Sequence, residues 1–455
     1  MMHHRHHARP GERPRNVDWK TAAALLYGDW GTSKAYVVGL AFAICGYSSP
    51  WPIAVMSLVT ALVGYNYLHI CRLYPFGGGV YASLRDRSAS LSAIGAFLLM
   101  ADYLVTAAIS SLSAFYYLGV SHPVECAFIA ILVIGAINFL GPKESGGVAI
   151  WISIPTMVVV LLLGLFALPH LGEAARMIQA PQGGLLKNWE NLVVIMLALS
   201  GIEAIANSTG VMKLDPHSSM KYPSVDFTSK PAIFLIMAEV CVMTTLLGFA
   251  MVALPGLTVS HGEVNAIDAM GVRDYMLREM GKVFVGGAMG PMAGQIAAWV
   301  ISITFGLLLL SAVNTAMVAL SSLTHLMARD LQLPPAFIKL NRRGVPIAGL
   351  LLSITIPAGL ILSMGDISKL ADLYAVGVVG AICMNLGSTS TDFSKELKSY
   401  QRVIMFLTFL LMLSLELTLL IMKPNARIFA VIVVVTGMML RFVAGKVSRS
   451  TVGSV

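Results

Sequence analysis

Long apolar segments, separated by short polar breaks, run through the whole chain. They lie at approximately residues 18–48, 51–72, 91–118, 124–140, 147–169, 188–212, 231–256, 291–320, 346–364, 369–390, 401–422 and 427–445. A helix that crosses a lipid bilayer needs roughly 17 to 25 apolar residues, and the segments meet this length. Short alternating strands, the mark of a transmembrane barrel, are not seen. The pattern predicts an all-α membrane protein with about twelve transmembrane helices.

Composition and charge agree with that fold class. The 455 residues are 57% apolar and only 12% charged, whereas a soluble domain carries roughly 25% charged residues. The net charge of +8 does not indicate nucleic-acid binding, because Lys and Arg are concentrated in alternate loops. This positive-inside pattern predicts a multi-pass protein of the cell membrane with both termini in the cytosol. The five cysteines are scattered and have no metal-site or disulfide spacing.

Two of the segments are interrupted in mid-span by acids, hydroxyls and glycines. The first is interrupted at residues 28–33, which include Asp29, and the sixth at residues 200–210, which include Glu203. Acids inside a membrane are usually functional, and glycines with hydroxyls let a helix break and expose its carbonyls. Because the breaks are five segments apart, the second copy crosses in the opposite direction, as in inverted-repeat transporters. The alternative for each break is a small-residue packing seam.

Further polar residues fall on one face of the third segment. Asp102, Thr106 and Ser110 recur every four residues, which places them together on a helix. A carboxylate above two hydroxyls supplies the hard oxygen ligands that suit an alkali cation or a proton relay. The alternative is that the hydroxyls bond their own helix carbonyls. Asp29 and Tyr36 are seven residues apart and would also face the same way in a continuous helix.

These residues support a resemblance to known carriers. The pattern YGDWGTSKAY at residues 27–36 resembles the first-helix signature of KUP-type potassium transporters. Over about residues 20–445 the chain resembles more closely the KimA group of potassium uptake proteins, within the amino acid–polyamine–organocation superfamily. The other stretches that carry the resemblance are 74–81, 102–110, 200–207, 314–315, 328–335 and 373–378.

The resemblance implies a fold, a function and a set of site residues. The implied architecture is a LeuT-like pair of inverted five-helix repeats with discontinuous first and sixth helices, and the implied activity is proton-coupled potassium uptake, often by a dimer. It implies cation-site roles for Asp29, Tyr36, Thr106, Ser110 and Ser200, and it matches Glu203 to an acid of the same pathway. Gly31 and Thr32 of the first break are further candidate substrate ligands, and Asp102 is a second candidate proton carrier beside Glu203. Ser200 stands where the KimA group has threonine, so a hydroxyl is kept.

Two departures from the KimA group affect this interpretation. Lys34 occupies a position that is apolar there, and a fixed ammonium near a cation site would repel the substrate by a few kcal/mol at an effective dielectric of about 20. Lys34 is therefore a candidate modifier of the site, unless it turns to a neighbouring helix and pairs with an acid. The cytosolic regulatory domain of the KimA group has no counterpart in this sequence.

We divide the chain on this basis into four parts. They are a His-rich, disordered cytosolic tail (1–17), a transporter core of two repeats (18–390), two peripheral helices (391–445) suited to packing or dimerisation, and a short cytosolic tail (446–455). The expected partners are membrane lipid, a small cation or amino acid, and a second copy of the chain. We expect no nucleic acid, no cofactor and no metal beyond the transported K⁺.

Other functions remain open at this point. An amino acid or amine permease fits the glycine-rich first break, whose backbone amides could bind a carboxylate, and Trp30 and Lys34 favour it. A membrane sensor or channel is a third hypothesis, although the sequence has no selectivity-filter repeat. We do not expect an enzyme, because metalloprotease, nucleophile-elbow and P-loop motifs are missing.

Overall fold

The computed structural model describes residues 15–140, 145–196, 201–260, 262–267 and 269–452, with the side chains of 145–147 and 447–452 left out. In these ranges the chain forms seventeen α-helices and one antiparallel hairpin. The helices are α1 (Trp19–Trp30), α2 (Ser33–Cys45), α3 (Pro50–Leu73), α4 (Gly79–Arg85), α5 (Ala89–Leu118), α6 (Pro123–Phe139), α7 (Ser145–Ala167), α8 (Leu171–Met177), α9 (Gly184–Ile195), α10 (Ile202–Ser208), α11 (Asp226–Ala250), α12 (Met276–Met289), α13 (Pro291–Arg329), α14 (Ile347–Met364), α15 (Ile367–Thr391), α16 (Ser399–Met422) and α17 (Pro424–Val452). The strands are β1 (Thr258–Ser260) and β2 (Glu263–Asn265).

Most of these helices have the length and composition of membrane spans. In the described part of the chain nine are long and apolar enough to cross a bilayer, and α6 is a shorter apolar helix. The pair α1 and α2 occupies the first predicted segment, and the pair α9 and α10 occupies the sixth. Counted as one crossing each, these pairs complete the twelve predicted segments. The all-α membrane class predicted from the sequence is confirmed.

The helix α5 forms the centre of the molecule. It begins after Ser88, whose hydroxyl accepts from the amide of Leu91, and it ends at Gly119, which has φ +67°. Such ends are typical, because a serine cap satisfies a free amide and glycine adopts left-handed torsions without strain. Nearly nine-tenths of the most apolar stretch of α5 is buried inside the protein, compared with about one-sixth of that of α17. Asp102, Thr106 and Ser110 therefore lie in the interior of the helix bundle.

Three pairs of spans that lie five apart in the chain pack against each other. The third span, α5, packs on the eighth, α13; the second, α3, packs on the seventh, α11; and the fourth, α6, packs on the ninth, α14. A twofold relation between two groups of five helices would produce these pairings. Outside this set, α16 packs mainly on α15, and α17 packs on α15 and α5.

The end of the predicted tail is held against the helix bundle. Residues 1–14, with their histidines, lie outside the described part of the chain, as do 453–455. Val17 forms a parallel bridge with Met212, after the end of α10. The Arg15 guanidinium donates to the carbonyls of Thr209, Met212 and Pro75, at 3.1, 3.3 and 2.9 Å. Arg15 and Val17, in the last part of the predicted tail, thus contact the helix bundle.

In the loop between the seventh and eighth spans, the hairpin of β1 and β2 comes first, and α12 begins at Met276. Gly271, with φ +67°, turns the chain between them. The loop packs tightly on α2, since a Cβ added at Gly39 would lie 1.9 Å from the carbonyl oxygen of Arg273.

Candidate functional site

The first break is a local tightening of the helix rather than an unwound segment. Gly31 and Thr32 keep right-handed torsions, with φ of −65° and −72°. The Thr32 hydroxyl donates to the carbonyl of Asp29 at 2.6 Å, and the Ser33 hydroxyl donates to the carbonyl of Trp30 at 2.5 Å. Side chains thus satisfy the carbonyls that the break would otherwise expose, which is the local bonding common for serine and threonine in helices.

Lys34 also bonds a carbonyl of the first break, and its ammonium is directed to α11. Its ammonium donates to the Gly31 carbonyl at 3.1 Å and to Glu239 Oε2, on α11, at 2.9 Å. The side chain is fully buried, and its nitrogen lies 4.8 Å from the centre of the Tyr27 ring. The alternative in which Lys34 pairs with an acid of a neighbouring helix is the one found in this structure. Its positive charge is thereby matched by Glu239.

The second break meets the first directly. Residues 197–200, including the candidate ligand Ser200, lie outside the described part of the chain. Gly201, the residue before α10, has φ +92°, a conformation that side chains other than glycine rarely adopt. A Cβ at Gly201 would lie 2.4 Å from the amide nitrogen of Trp30 and 2.9 Å from the carbonyl carbon of Asp29. The backbones of the two breaks are therefore in contact, as expected for paired interruptions.

Two buried carboxylates lie near this junction. Asp102 of α5 interacts electrostatically with Asp29 and also with Glu203. Both aspartates are about 5% exposed. The Thr106 hydroxyl donates to the carbonyl of Asp102 at 2.8 Å and lies 3.2 Å from Asp102 Oδ1. Asp29 Oδ1 has no hydrogen-bond partner among the described residues. The structure thus brings together the acids that the sequence placed on separate segments.

Tyrosine hydroxyls line the same region. The hydroxyl of Tyr36, on α2, lies 3.5 Å from that of Thr32, the residue before α2. Tyr374 of α15 is fully buried and interacts with Tyr36, Thr106 and both aspartates. Its hydroxyl makes no well-formed hydrogen bond within the described ranges. Tyr374 belongs to the resembling stretch 373–378, and the structure places it beside the predicted ligands Tyr36 and Thr106.

Ser110 behaves differently from Thr106. Its hydroxyl is fully buried one helical turn beyond Thr106, and it has no hydrogen-bond partner in the described part of the chain. The alternative of a hydroxyl bonded to its own helix therefore applies to Thr106 and not to Ser110. Buried polar atoms without partners usually mark a site for water, an ion or a ligand. Asp29, Ser110 and Tyr374 each contribute one such oxygen.

Glu203 anchors a separate polar cluster at the start of α10. Its Oε1 accepts a short hydrogen bond from the Tyr67 hydroxyl of α3 and lies 3.3 Å from Asn385 Nδ2 of α15. Its Oε2 has no partner among the described residues, and a Cβ at Gly79 would lie 2.9 Å from it. The glycine-rich loop at 77–79 is thus a close-packing element, because its missing side chains make room for α10.

The sequence of this chain matches a known family of membrane transporters. The model of a family described as amino acid permease matches residues 17–440, which is most of the chain. This chain belongs to the amino acid permease family. No curated protein matches it. Membership makes the chain a transporter of the amino acid–polyamine–organocation superfamily with several membrane spans, and a permease is not an enzyme.

Several functional candidates in this permease were missed by the sequence analysis. Glu239 is the most important, because it binds Lys34, and Tyr67 and Asn385 hold Glu203. A signal for Glu239 existed, since an acid in the middle of the seventh apolar segment is as costly as Asp29. Nothing in the spacing of Tyr67 or Asn385 links either of them to Glu203, which lies more than 130 residues from both.

Proposed function

We propose that this permease takes up potassium ions together with protons by alternating access. The observation that carries the proposal is the buried pair Asp29 and Asp102, for which the described part of the chain offers no ion-pair partner. The nearby ammonium of Lys34 is engaged by Glu239 instead. Carboxylates at membrane depth are tolerated where they bind a cation or a proton. The pair therefore favours a positively charged substrate.

The chemistry of the surrounding groups supports an inorganic cation. Asp29, Ser110 and Tyr374 present oxygens without partners, and Tyr36 and Thr106 add hydroxyls. Oxygens in this number can take the place of the water molecules that surround an alkali ion in solution. Ser200 joins the proposed set on the second break. Gly31 and Thr32 take an indirect role in it, because their carbonyl and hydroxyl are used within the first break.

The proposed cycle uses the second acid cluster for the proton. Glu203 and Asp102 interact with each other, so that a proton on either changes the field at the cation site. Two inverted five-helix repeats, supported by the pairing of spans five apart, would rock around the junction of the breaks. In this proposal the protein lies in the cell membrane with both termini cytosolic, and α16 and α17 are available for dimerisation.

An amino acid or amine permease is the second candidate. The family description favours it, and so does the buried Trp30 indole, whose N–H has no partner among the described residues. A free carboxylate group is harder to place. The amides of Gly31, Thr32 and Ala35, which could have bound one, donate to the carbonyls of Tyr27, Asp29 and Thr32. A primary amine without a carboxylate would fit the two aspartates better.

Uptake of Rb⁺ by the purified protein in liposomes tests the proposal. With an imposed proton gradient, the parent should accumulate Rb⁺ saturably, and Asp29→Asn should abolish uptake while leaving the thermal unfolding midpoint nearly unchanged. Glu173→Gln, at an exposed acid of α8, is the matched control and should transport normally. Near-normal uptake by Asp29→Asn would contradict the site. Stabilisation by amino acids without any response to K⁺ would favour the second candidate.

A further inference from the structure

A buried cation that belongs to the protein itself lies beside the first break. The Lys34 ammonium is fully buried between α2 and α11, and its neighbours are the Gly31 carbonyl, the Glu239 carboxylate and the face of the Tyr27 ring. The Tyr27 hydroxyl donates to the other oxygen of Glu239 at 3.2 Å. The arrangement links the break to α11 through one positive charge.

These neighbours are the groups that bind free monovalent cations. A carbonyl oxygen and a carboxylate are hard ligands, and an aromatic face attracts ammonium and alkali ions. An ordinary salt bridge would not require the carbonyl of a helix break, and an ordinary cap would not require an acid 205 residues away in the sequence. The cluster also lies on another side of the break from the proposed substrate acids, because Asp29 interacts with Asp102 of α5 and Lys34 bonds to α11.

We propose that Lys34 is a tethered cation that fills a second cation site, formed by the Gly31 carbonyl, Glu239 and Tyr27. The carrier thereby keeps the first break joined to α11 without binding a free alkali ion. The inference rests on the proposed function only in the statement that the carrier needs no free alkali ion at this second site. The site itself can be tested on protein stability, so its failure is distinguishable from a failure of the potassium proposal.

Removing the tether should expose the site to free cations. Lys34→Ala leaves the Glu239 carboxylate buried without its counter-charge, and it opens the space of the lysine stem and ammonium. A small cation such as methylammonium or Na⁺ should enter this space and restore the link. A ligand that binds only the folded state raises stability with the logarithm of its concentration once it exceeds its Kd. The variant should therefore acquire a saturable cation dependence that the parent lacks.

The experiment compares thermal unfolding of full-length protein in detergent at constant ionic strength, in choline, K⁺, Na⁺ or methylammonium chloride. Lys34→Ala should unfold at a lower temperature than the parent in choline, which is too large to enter. Methylammonium or Na⁺ should then raise its midpoint towards that of the parent. Lys423→Ala is the control, because it breaks the 2.7 Å pair with Asp372 at more exposed helix ends. It should respond to the salts as the parent does.

A second variant identifies Glu239 as the source of the cation dependence. Lys34→Met combined with Glu239→Leu removes both charges, and its midpoint should be the same in all four salts. The proposal would be overturned if Lys34→Ala failed to respond to methylammonium or Na⁺, whether through an unchanged midpoint or through failure to fold in every salt. It would also be overturned if the double variant showed the same rescue as Lys34→Ala.

Discussion

The contact between the two breaks makes Gly201→Ala an informative substitution. The new Cβ would lie 2.4 Å from the Trp30 amide nitrogen, whereas ordinary van der Waals contact begins at 3.4 Å. The two backbones must therefore separate by about 1 Å. A left-handed conformation costs a residue other than glycine about 1–2 kcal/mol, and overpacking costs about 1–3 kcal/mol more. We expect a total loss of about 2–5 kcal/mol in the free energy of unfolding.

Transport by the folded variant should fall as well. A misplacement of 1 Å in an ordered site can reduce a rate about 100-fold, so we expect Rb⁺ uptake by folded Gly201→Ala to fall by a comparable factor. Gly365→Ala is the matched control, because Gly365 also has left-handed torsions (φ +56°) but its added Cβ would meet nothing closer than 3.6 Å. It should lose only the conformational part, about 1–2 kcal/mol, and keep its uptake.

Two measurements on the same preparations check this reasoning: the thermal unfolding midpoint in detergent and the initial rate of Rb⁺ uptake in liposomes. The comparison depends on the difference between the two alanine variants, which share the cost of the backbone conformation. If Gly201→Ala were as stable and as active as Gly365→Ala, the breaks could not be in the contact described above. The paired-break interpretation of the site would then be wrong.

Two further predictions concern the site and the external loop. Tyr374→Phe should weaken the apparent affinity for Rb⁺ several-fold with little change in the unfolding midpoint. The reason is that the Tyr374 hydroxyl has no well-formed hydrogen bond among the described residues. A large loss of stability with unchanged affinity would contradict this prediction. The pKa of Glu263 lies above its usual 4.5 chiefly because burial disfavours the charged form; Arg273 opposes this shift, and Asp274 and Asp366 add to it. The folded state then binds the Glu263 proton more tightly than the unfolded state, so this contribution to stability is present at low pH and is lost as pH rises from 4.5 through the raised pKa. Glu263→Gln should flatten that part of the stability profile, measured by thermal unfolding from about pH 4 to 7, and an unchanged slope would refute the assignment.

Part of the candidate site was readable from the sequence because membrane burial makes polar residues conspicuous. An acid in an apolar segment needs a partner or a function, so Asp29, Asp102 and Glu203 stood out without any structure. Helical periodicity also placed Thr106 on the face of Asp102, and the structure shows the hydroxyl bonded to that residue. These inferences depend only on local spacing.

The lining of the first break could not be read in this way. The sequence suggested that the break exposes its carbonyls, but whether a hydroxyl or ammonium turns back to a carbonyl depends on its rotamer. Neighbouring helices decide that rotamer. Lys34 reaches the Gly31 carbonyl because Glu239 of α11 holds its ammonium. The direction of one side chain thus changed the expected electrostatics of the whole site.

The sequence by itself determined the all-α membrane class, the twelve segments and the positions of the two interruptions, because lipid solvent imposes segment length and excludes unpaired charge. Only the tertiary structure decided which polar groups satisfy each other. Gly201 against Trp30, Tyr67 against Glu203 and Lys34 against Glu239 are contacts between distant segments. Such contacts depend on how helices pack, and helix packing follows from shape and small residues rather than from hydrophobic periodicity.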